Sequence, residues 1–313
     1  MPNLKPLIVI LGPTASGKTG LALELAKRFD GELLSADSRQ IYKEMDIATN
    51  KLDNATTTEK TAGGKKLYFI DSIPLHLLDL INPDESFSLA DYKKVALEKI
   101  EEIYSKGKLP ILVGGTGLYL SAIVDNLNIP QAPPDENLRT ALEEKNAEEL
   151  FGALAKIDPP SAESIGPQNK RKLIRALEVY KITGQPFSSQ QKKGKPLFDI
   201  LQLGIKIERK ELHSRIDQRV DQMIETGLVR ETQNLREKYA IELPAMSGIG
   251  YKEIGAYLNG EMSLEEATQQ IKWHTHQYAR RQITWFNRDK SINWIEDYAE
   301  AEKLAKDFIA TEV

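Results

Sequence analysis

Residues 12–19 read GPTASGKT, which satisfies the pattern G-x-x-x-x-G-K-[ST]. Such a segment can bind phosphate. Gly12 and Gly17 let the backbone curl until its N–H groups face one centre. Lys18 can reach phosphate oxygens, and Thr19 can offer its hydroxyl to Mg²⁺. Pro13, Thr14, Ala15 and Ser16 complete the loop. An apolar run precedes it and a helical pattern follows, so the loop also gains the partial charge of a helix N-terminus. A chance match in an ordinary strand–helix loop would not require that context. The loop does not identify the phosphate compound, and a nucleotide such as ATP is the commonest occupant. A nucleotide hydrolase usually adds an Mg²⁺-binding Asp after another apolar strand. Here the candidate strand, residues 111–113, runs into Gly114, Gly115 and Thr116 instead. That weakens a motor ATPase and leaves a small kinase, for which Asp37 could serve as the acid.

Other residues have types and spacings suited to chemistry. Asp37 ends an apolar segment, where open α/β sheets form their sites. Its plainer role is a helix cap, with Asp37 or Ser38 followed by Gln40. Arg215 and Arg219 are four residues apart and share a helix face. Leu212, Ile216, Val220 and Met223 form the apolar stripe beside them, and Asp217 and Asp221 could make the arginines a solvated ion-paired face. Residues 135–150 hold six acids and two bases, net −4, whereas residues 170–195 hold eight bases and one acid, net +7. Lys170, Arg171, Lys172 and Arg175 fall in the basic block. A chain of net charge −4 overall can still meet a polyanion through such a block. Near the C-terminus Arg281, Thr284 and Arg288 share one helix face, with Arg280 beside them. Ile271, Tyr278 and Trp285 make a seven-spaced core stripe on the opposite face.

The elements that must position these groups are legible. Residues 7–11, 32–36 and 109–113 read as strands, and residues 21–29 and 89–104 as helices. Strand and helix alternate, which predicts a parallel α/β sheet of the phosphate-loop type, flanked by helices. The proline-rich stretch 129–136 breaks that pattern. Residues 126–196 are expected to be an inserted all-helical domain, with the core built from 1–125 and 197–313. Residues 201–207 alternate like a strand returning to the sheet. Long helices are expected at 209–238 and 264–286, and a polar mobile loop at 51–66. Trp273, Trp285 and Trp294 are expected in the core. With 313 residues there is ample length for a buried core. No cysteine is present, so disulfides, Cys-ligated zinc and iron–sulfur clusters are excluded. The four His are too scattered for a His-rich metal site. No apolar run is long enough to span a bilayer. A cytosolic monomer without membrane attachment is expected.

Several motifs occur in order: GPTASGKT, DSRQIYKEMDIATNK (37–51), HLLDLINPDESFSLADY (76–92), GGTGLYL (114–120), RALEVYKITG (175–184), RIDQRVDQM (215–223), GIGYKE (248–253) and YARRQITWF (278–286). Together they closely resemble the bacterial tRNA dimethylallyltransferases, also called tRNA isopentenyltransferases. The resemblance implies a transferase that moves a dimethylallyl group from dimethylallyl diphosphate to N6 of the adenine on the 3′ side of the anticodon. The implied substrates are tRNAs that read codons starting with U, and the implied cofactor is Mg²⁺, held in part by Thr19. It assigns residues 12–19 to the donor diphosphate, although the same loop is often described as ATP-binding.

The resemblance further implies Asp37 as the base that takes a proton from the adenine amine. Arg219 would grip the diphosphate, and Thr116 would contact donor or adenine. Asp37, Ser38, Arg39 and Gln40 would receive the extruded adenine of the anticodon stem-loop. Gly248, Gly250, Tyr251 and Lys252, the strip Lys170, Arg171, Lys172 and Arg175, and Arg280, Arg281, Gln282, Thr284 and Arg288 would meet the rest of the tRNA. Family members usually carry glycine where this chain has Ala48. Many have arginine in place of His276, and often a basic residue in place of Asn287. Rival readings are a small-molecule kinase, an isopentenyltransferase acting on free adenine nucleotides, and a non-catalytic tRNA-binding module. The basic block argues against the second, and Lys18, Thr19 and Asp37 argue against the third.

Overall fold

A computed structural model of the chain describes residues 4–51, 56–60, 66–130, 132–190 and 192–310. The chain forms two compact units, Met1–Ile123 with Leu197–Val313, and Val124–Pro196. The elements before the second unit are β1 (Pro6–Leu11), α1 (Lys18–Arg28), β2 (Gly31–Ser35), β3 (Thr56–Lys60), β4 (Lys66–Ile70), β5 (Ile73–His76), α2 (Leu89–Ser105), β6 (Leu109–Gly114) and α3 (Gly117–Val124). The second unit holds α4 (Glu136–Glu143), α5 (Ala147–Ile157), α6 (Pro159–Ile165), α7 (Lys170–Thr183) and α8 (Phe187–Gln190). The chain then adds β7 (Asp199–Ile205), α9 (Arg209–Glu225), α10 (Leu228–Lys238), a 3₁₀ turn at Pro244–Ser247, α11 (Tyr251–Leu258), α12 (Leu264–Phe286), β8 (Asn293–Ile295) and α13 (Tyr298–Ala310).

In the first unit the strands form one sheet in the order β3-β4-β5-β2-β6-β1-β7-β8. From β5 to β8 every pairing is parallel. The apolar residues of β1, from Leu7 to Leu11, are all buried, as a central parallel strand covered on both faces requires. Ile8, Ile10, Leu33, Ile111 and Leu203 pack with Leu25 of α1 and Ala301 and Ala305 of α13. Register fixes what matters for function. Leu11 pairs with Gly114, and Ser35 with Val113. The carboxyl ends of β1, β2 and β6 therefore finish level, and the segments after them converge at one sheet edge. A second apolar cluster joins α9 to α12 through Leu212, Ile216, Tyr251, Ile254 and Ile271.

Two expected elements differ. The polar stretch 51–66, read as a loop, contains β3, which pairs antiparallel with β4 (Thr56 opposite Ile70). Threonine-rich sequence favours strand, and a polar strand suits a sheet edge. Residues 52–55 and 61–65 lie outside the described residues. The long helix expected at 209–238 is two helices. Gly227, at φ 108°, takes a left-handed conformation that ends α9 and starts α10.

The second unit is helical throughout its regular structure. Leu142, Leu150, Leu154, Leu173, Ile174 and Leu177 form its core. Glu178 is fully buried there, and accepts from the backbone N–H of Asp135 (2.9 Å), Arg139 Nε (2.8 Å) and Arg175 Nη1 (2.6 Å). Those three donors hold its carboxyl below the usual range against the opposing effect of burial. Among the described residues no helix is long and apolar enough to cross a membrane.

Candidate active site

The phosphate loop joins β1 to α1. Gly17 stands at φ 90° and Ala15 at φ 60°, so the loop curls back toward the strand end. Lys18 Nζ donates to the Pro13 carbonyl at 2.5 Å. Burial, and then the positive charge of Arg219, push its ammonium down to about 8, with Asp37 opposing. Arg219 reaches the loop from α9 and donates from Nη1 to Thr14 Oγ1 at 3.0 Å. Burial brings its guanidinium down to about 10, again opposed by Asp37. Its Nε is buried without a hydrogen-bond partner, and so is Ser16 Oγ. The site thus holds two desolvated cations and unfilled polar groups, the condition an anion would relieve. Arg215 is different: it is exposed and pairs with Glu211 at 2.5 Å.

Asp37 follows β2. Its Oδ1 accepts from the Arg39 backbone N–H at 2.8 Å, and residues 38–41 form a turn rather than a helix, so the capping role is replaced by a tight local turn. Arg39 is held by the carbonyls of Pro244 (2.9 Å) and Ala245 (3.2 Å). Thr116, after β6, accepts from the Ser38 backbone N–H at 3.0 Å and so orients the turn that carries Asp37. It lines neither of the cavities described next.

Two cavities meet at Asp37. One, about 120 Å³, is lined on the loop side by Thr14, Lys18 and Thr19. The other, about 370 Å³, is lined by Asp37, Ser38, Arg39, Gly248 and Tyr251, with an apolar wall that includes Ile216, Val220 and Ile249. Ala48 joins that wall, and a side chain on Gly250 would press against its Cβ at 3.0 Å. Gly250 sits at φ 99°, its N–H donating to Glu253 at 2.8 Å, and Lys252 points to solvent.

Two glutamines have inward roles. Gln40 accepts from Ser35 Oγ (2.7 Å) and donates to the carbonyls of Thr49 (3.1 Å) and Asn50 (3.3 Å), which consumes both halves of its amide. It fixes the segment 49–50 beside the phosphate-side cavity. Gln282 is buried. Its Oε1 accepts from the Thr14 backbone N–H (2.8 Å) and its Nε2 donates to the Gly115 carbonyl (2.8 Å). Glycine at 115 leaves room for that amide, which a Cβ there would meet and displace. Gln282 is therefore a clamp between the phosphate loop and the end of β6.

The basic candidates divide. In the second unit Arg171 and Lys172 are exposed at the start of α7, with no acid in the first turn to neutralise them. Lys170 pairs with Glu143 at 3.3 Å, and Arg175 is taken by Glu178 and the Ala132 carbonyl. On α12 Arg280, Arg281 and Thr284 are exposed, with Arg288 just beyond its end. The core stripe expected on this helix holds only at Ile271. Trp285 is 41% exposed, flat against the position of Gly117, and Trp273 is 57% exposed. Trp294 packs over Gly204 as a half-buried residue. His276 turns inward, stacks on His213 (ring centroids 4.1 Å apart) and lies 2.9 Å from Asp217. Tyr278 lines both cavities, and sequence periodicity missed it. Its signal was a polar-tipped aromatic four residues before Gln282.

The chain is similar to known proteins over nearly its whole length. The family model described as IPP transferase matches residues 40–289. A tRNA dimethylallyltransferase of Acetivibrio thermocellus is 46% identical over 96% of this chain and 95% of its own length. The crystal structure of a tRNA isopentenylpyrophosphate transferase from Bacillus halodurans is 39% identical, with a TM-score of 0.69 over 98% of this chain and 96% of that one. A eukaryotic dimethylallyltransferase caught acting on tRNA is 28% identical, with a TM-score of 0.80 over 98% of this chain and 80% of that one.

Proposed function

The chain belongs to the IPP transferase family, and we propose that it transfers a dimethylallyl group from dimethylallyl diphosphate to N6 of the adenine 3′-adjacent to the anticodon. The tRNAs concerned read codons starting with U. One observation carries the assignment of roles. Lys18 and Arg219, both desolvated cations, line the same cavity as the carboxylate of Asp37. An anion-binding end thus faces a proton-accepting end across a space of molecular size.

The exocyclic amine of adenine is a poor nucleophile because its lone pair is delocalised into the ring. As that pair forms the new C1–N6 bond, the C1–O bond of the donor breaks and its electrons pass to the diphosphate. The N6 proton goes to the Asp37 carboxylate, whose orientation is fixed by the Arg39 N–H. Lys18, Arg219, the Thr14 hydroxyl and the loop N–H groups stabilise the charge that grows on the leaving group. Mg²⁺, when bound, offsets diphosphate charge as well. The Thr19 hydroxyl lines the phosphate-side cavity and would hold it. A single hard oxygen ligand fits an ion that takes most of its shell from phosphate and water. Among the described residues no cluster of three acids or histidines competes for it.

The adenine must leave the anticodon-loop stack to reach Asp37. The wider cavity, with Asp37, Ser38 and Arg39 at its end, receives it. Arg171 and Lys172 on α7, and Arg280, Arg281, Thr284 and Arg288, meet tRNA phosphates. The cytoplasm, where tRNA is available, is the location this function requires.

The test is transfer of radiolabelled dimethylallyl from its diphosphate, with Mg²⁺, to unmodified tRNA, AMP or ATP. Label on tRNA alone supports the reading. Label on free nucleotides would move the protein to a small-molecule branch. ATP consumption without label transfer would make it a kinase.

A further inference from the structure

Thr14, Asp37, Thr49, Arg219 and Tyr278 line both the phosphate-side and the open-side cavity. They therefore stand at the boundary between them. On the prenyl-transfer reading, on which this inference rests, the donor's C1 reacts at that boundary. It starts bonded to a diphosphate held by Lys18 and Arg219 and ends bonded to an amine beside Asp37.

As the C1–O bond breaks, electrons leave for the diphosphate before the C1–N6 bond is complete, so positive charge spreads over the allylic carbons. Arg219 repels that charge and draws the diphosphate the other way. The Asp37 carboxylate is used by the N6 proton. The threonines offer small dipoles. Tyr278 is the one aromatic ring among the five. An aromatic face attracts a cation through its quadrupole, most strongly where water is excluded.

We propose that Tyr278 is a catalytic residue whose ring stabilises the cationic character of the dimethylallyl group during transfer. Three features of the ring suit this role. It lines both cavities while staying only partly exposed, so one face is offered to the space between them. Its phenol is pushed up to about 12 by burial and by the negative charge of Asp37, so it stays protonated at neutral pH. It already accepts a cation, since the Arg281 guanidinium lies 5.8 Å from its centroid. The ring neither gains nor loses a proton, so the N6 proton still goes to Asp37 and the C1–O electrons to the diphosphate.

The test is single-turnover transfer to unmodified tRNA by Tyr278→Phe, Tyr278→Leu and phenylalanines at 278 bearing one, two and three fluorines. Fluorination drains the ring face while nearly keeping its shape. The expected result is a rate within about twofold for Tyr278→Phe and about tenfold lower for Tyr278→Leu. The logarithm of the rate should fall linearly with fluorine count, at unchanged donor and tRNA affinity. A flat fluorine series, or Tyr278→Phe as slow as Tyr278→Leu, overturns the proposal even if the leucine variant is poorly folded. If the unaltered enzyme transfers no label to tRNA, the functional reading fails first and takes the proposal with it.

Discussion

Lys18 should weaken the unliganded protein that needs it. Burial and Arg219 bring its ammonium from 10.5 to about 8, a displacement worth about 3 kcal/mol at 1.36 kcal/mol per pH unit. Lys18→Met keeps the stem and removes the charge. It also loses the bond to the Pro13 carbonyl, worth about 1.5 kcal/mol for a charged donor. The net expectation at pH 7 is a variant more stable by about 1–2 kcal/mol. The pH dependence has a definite sign. Between pH 8 and 10.5 the folded protein binds fewer protons at Lys18 than the unfolded chain does. Stability therefore rises with pH across that window, and below it the full burial cost persists. Denaturant titrations of both proteins at pH 7 to 10, without ligand, isolate the Lys18 contribution as their difference. The stability gap should close as pH rises. Calorimetry with inorganic diphosphate should show affinity lowered about 10- to 100-fold in the variant. A variant less stable at pH 7, or a gap independent of pH, would refute the view that Lys18 is held unfavourably in order to bind an anion.

Three further outcomes follow from the same geometry. Asp37→Asn should lower turnover by about 10²–10⁴, with tRNA affinity within about twofold, in single-turnover and filter-binding assays. Arg171→Ala with Lys172→Ala should weaken tRNA binding and reduce the slope of log affinity against log salt by about 1.5, leaving donor affinity unchanged. Gln282→Ala should cost about 1–3 kcal/mol in denaturation, since it orphans the Thr14 N–H and the Gly115 carbonyl. It should raise the donor KM more than it weakens tRNA. Equal losses for the two substrates would mean that Gln282 does not act through the phosphate loop.

The parallel core was legible because its signals are local. Continuous apolar runs, a glycine-rich loop and helical spacing mark β1, α1, β2, α2 and β6, which lie within a residue or two of expectation except at the start of α1. What escaped depends on pairing or on one dihedral. β3 has no apolar face of its own to announce it, and becomes a strand because β4 offers a partner. The break between α9 and α10 rests on Gly227 alone, since apolar spacing continues across it from Met223 to Leu228 and Leu235. β8 is too short to carry a period, and joins the sheet only through β7.

The site divides along the same line. The loop GPTASGKT states its chemistry in eight consecutive residues, because backbone N–H groups, an ammonium and a hydroxyl must surround one anion. Arg219 and Asp37 are far apart in sequence, and only the register of β1, β2 and α9 puts their side chains in one cavity. The two glutamines make the limit plain. An amide can pair with adenine or with backbone, and the residue type is the same in both cases. Gln40 and Gln282 stand beside residues proposed to meet RNA, yet each spends both halves of its amide inside the protein. A sheet that converges several chain segments on one ligand needs internal ties between those segments. Residues next to the ligand-facing ones are the nearest that can supply them. Tyr278 follows from the reverse error. Seven-residue spacing from Ile271 marks it as core, but its side chain lines both cavities instead. An aromatic whose spacing calls for burial in the core is left at the boundary of two cavities.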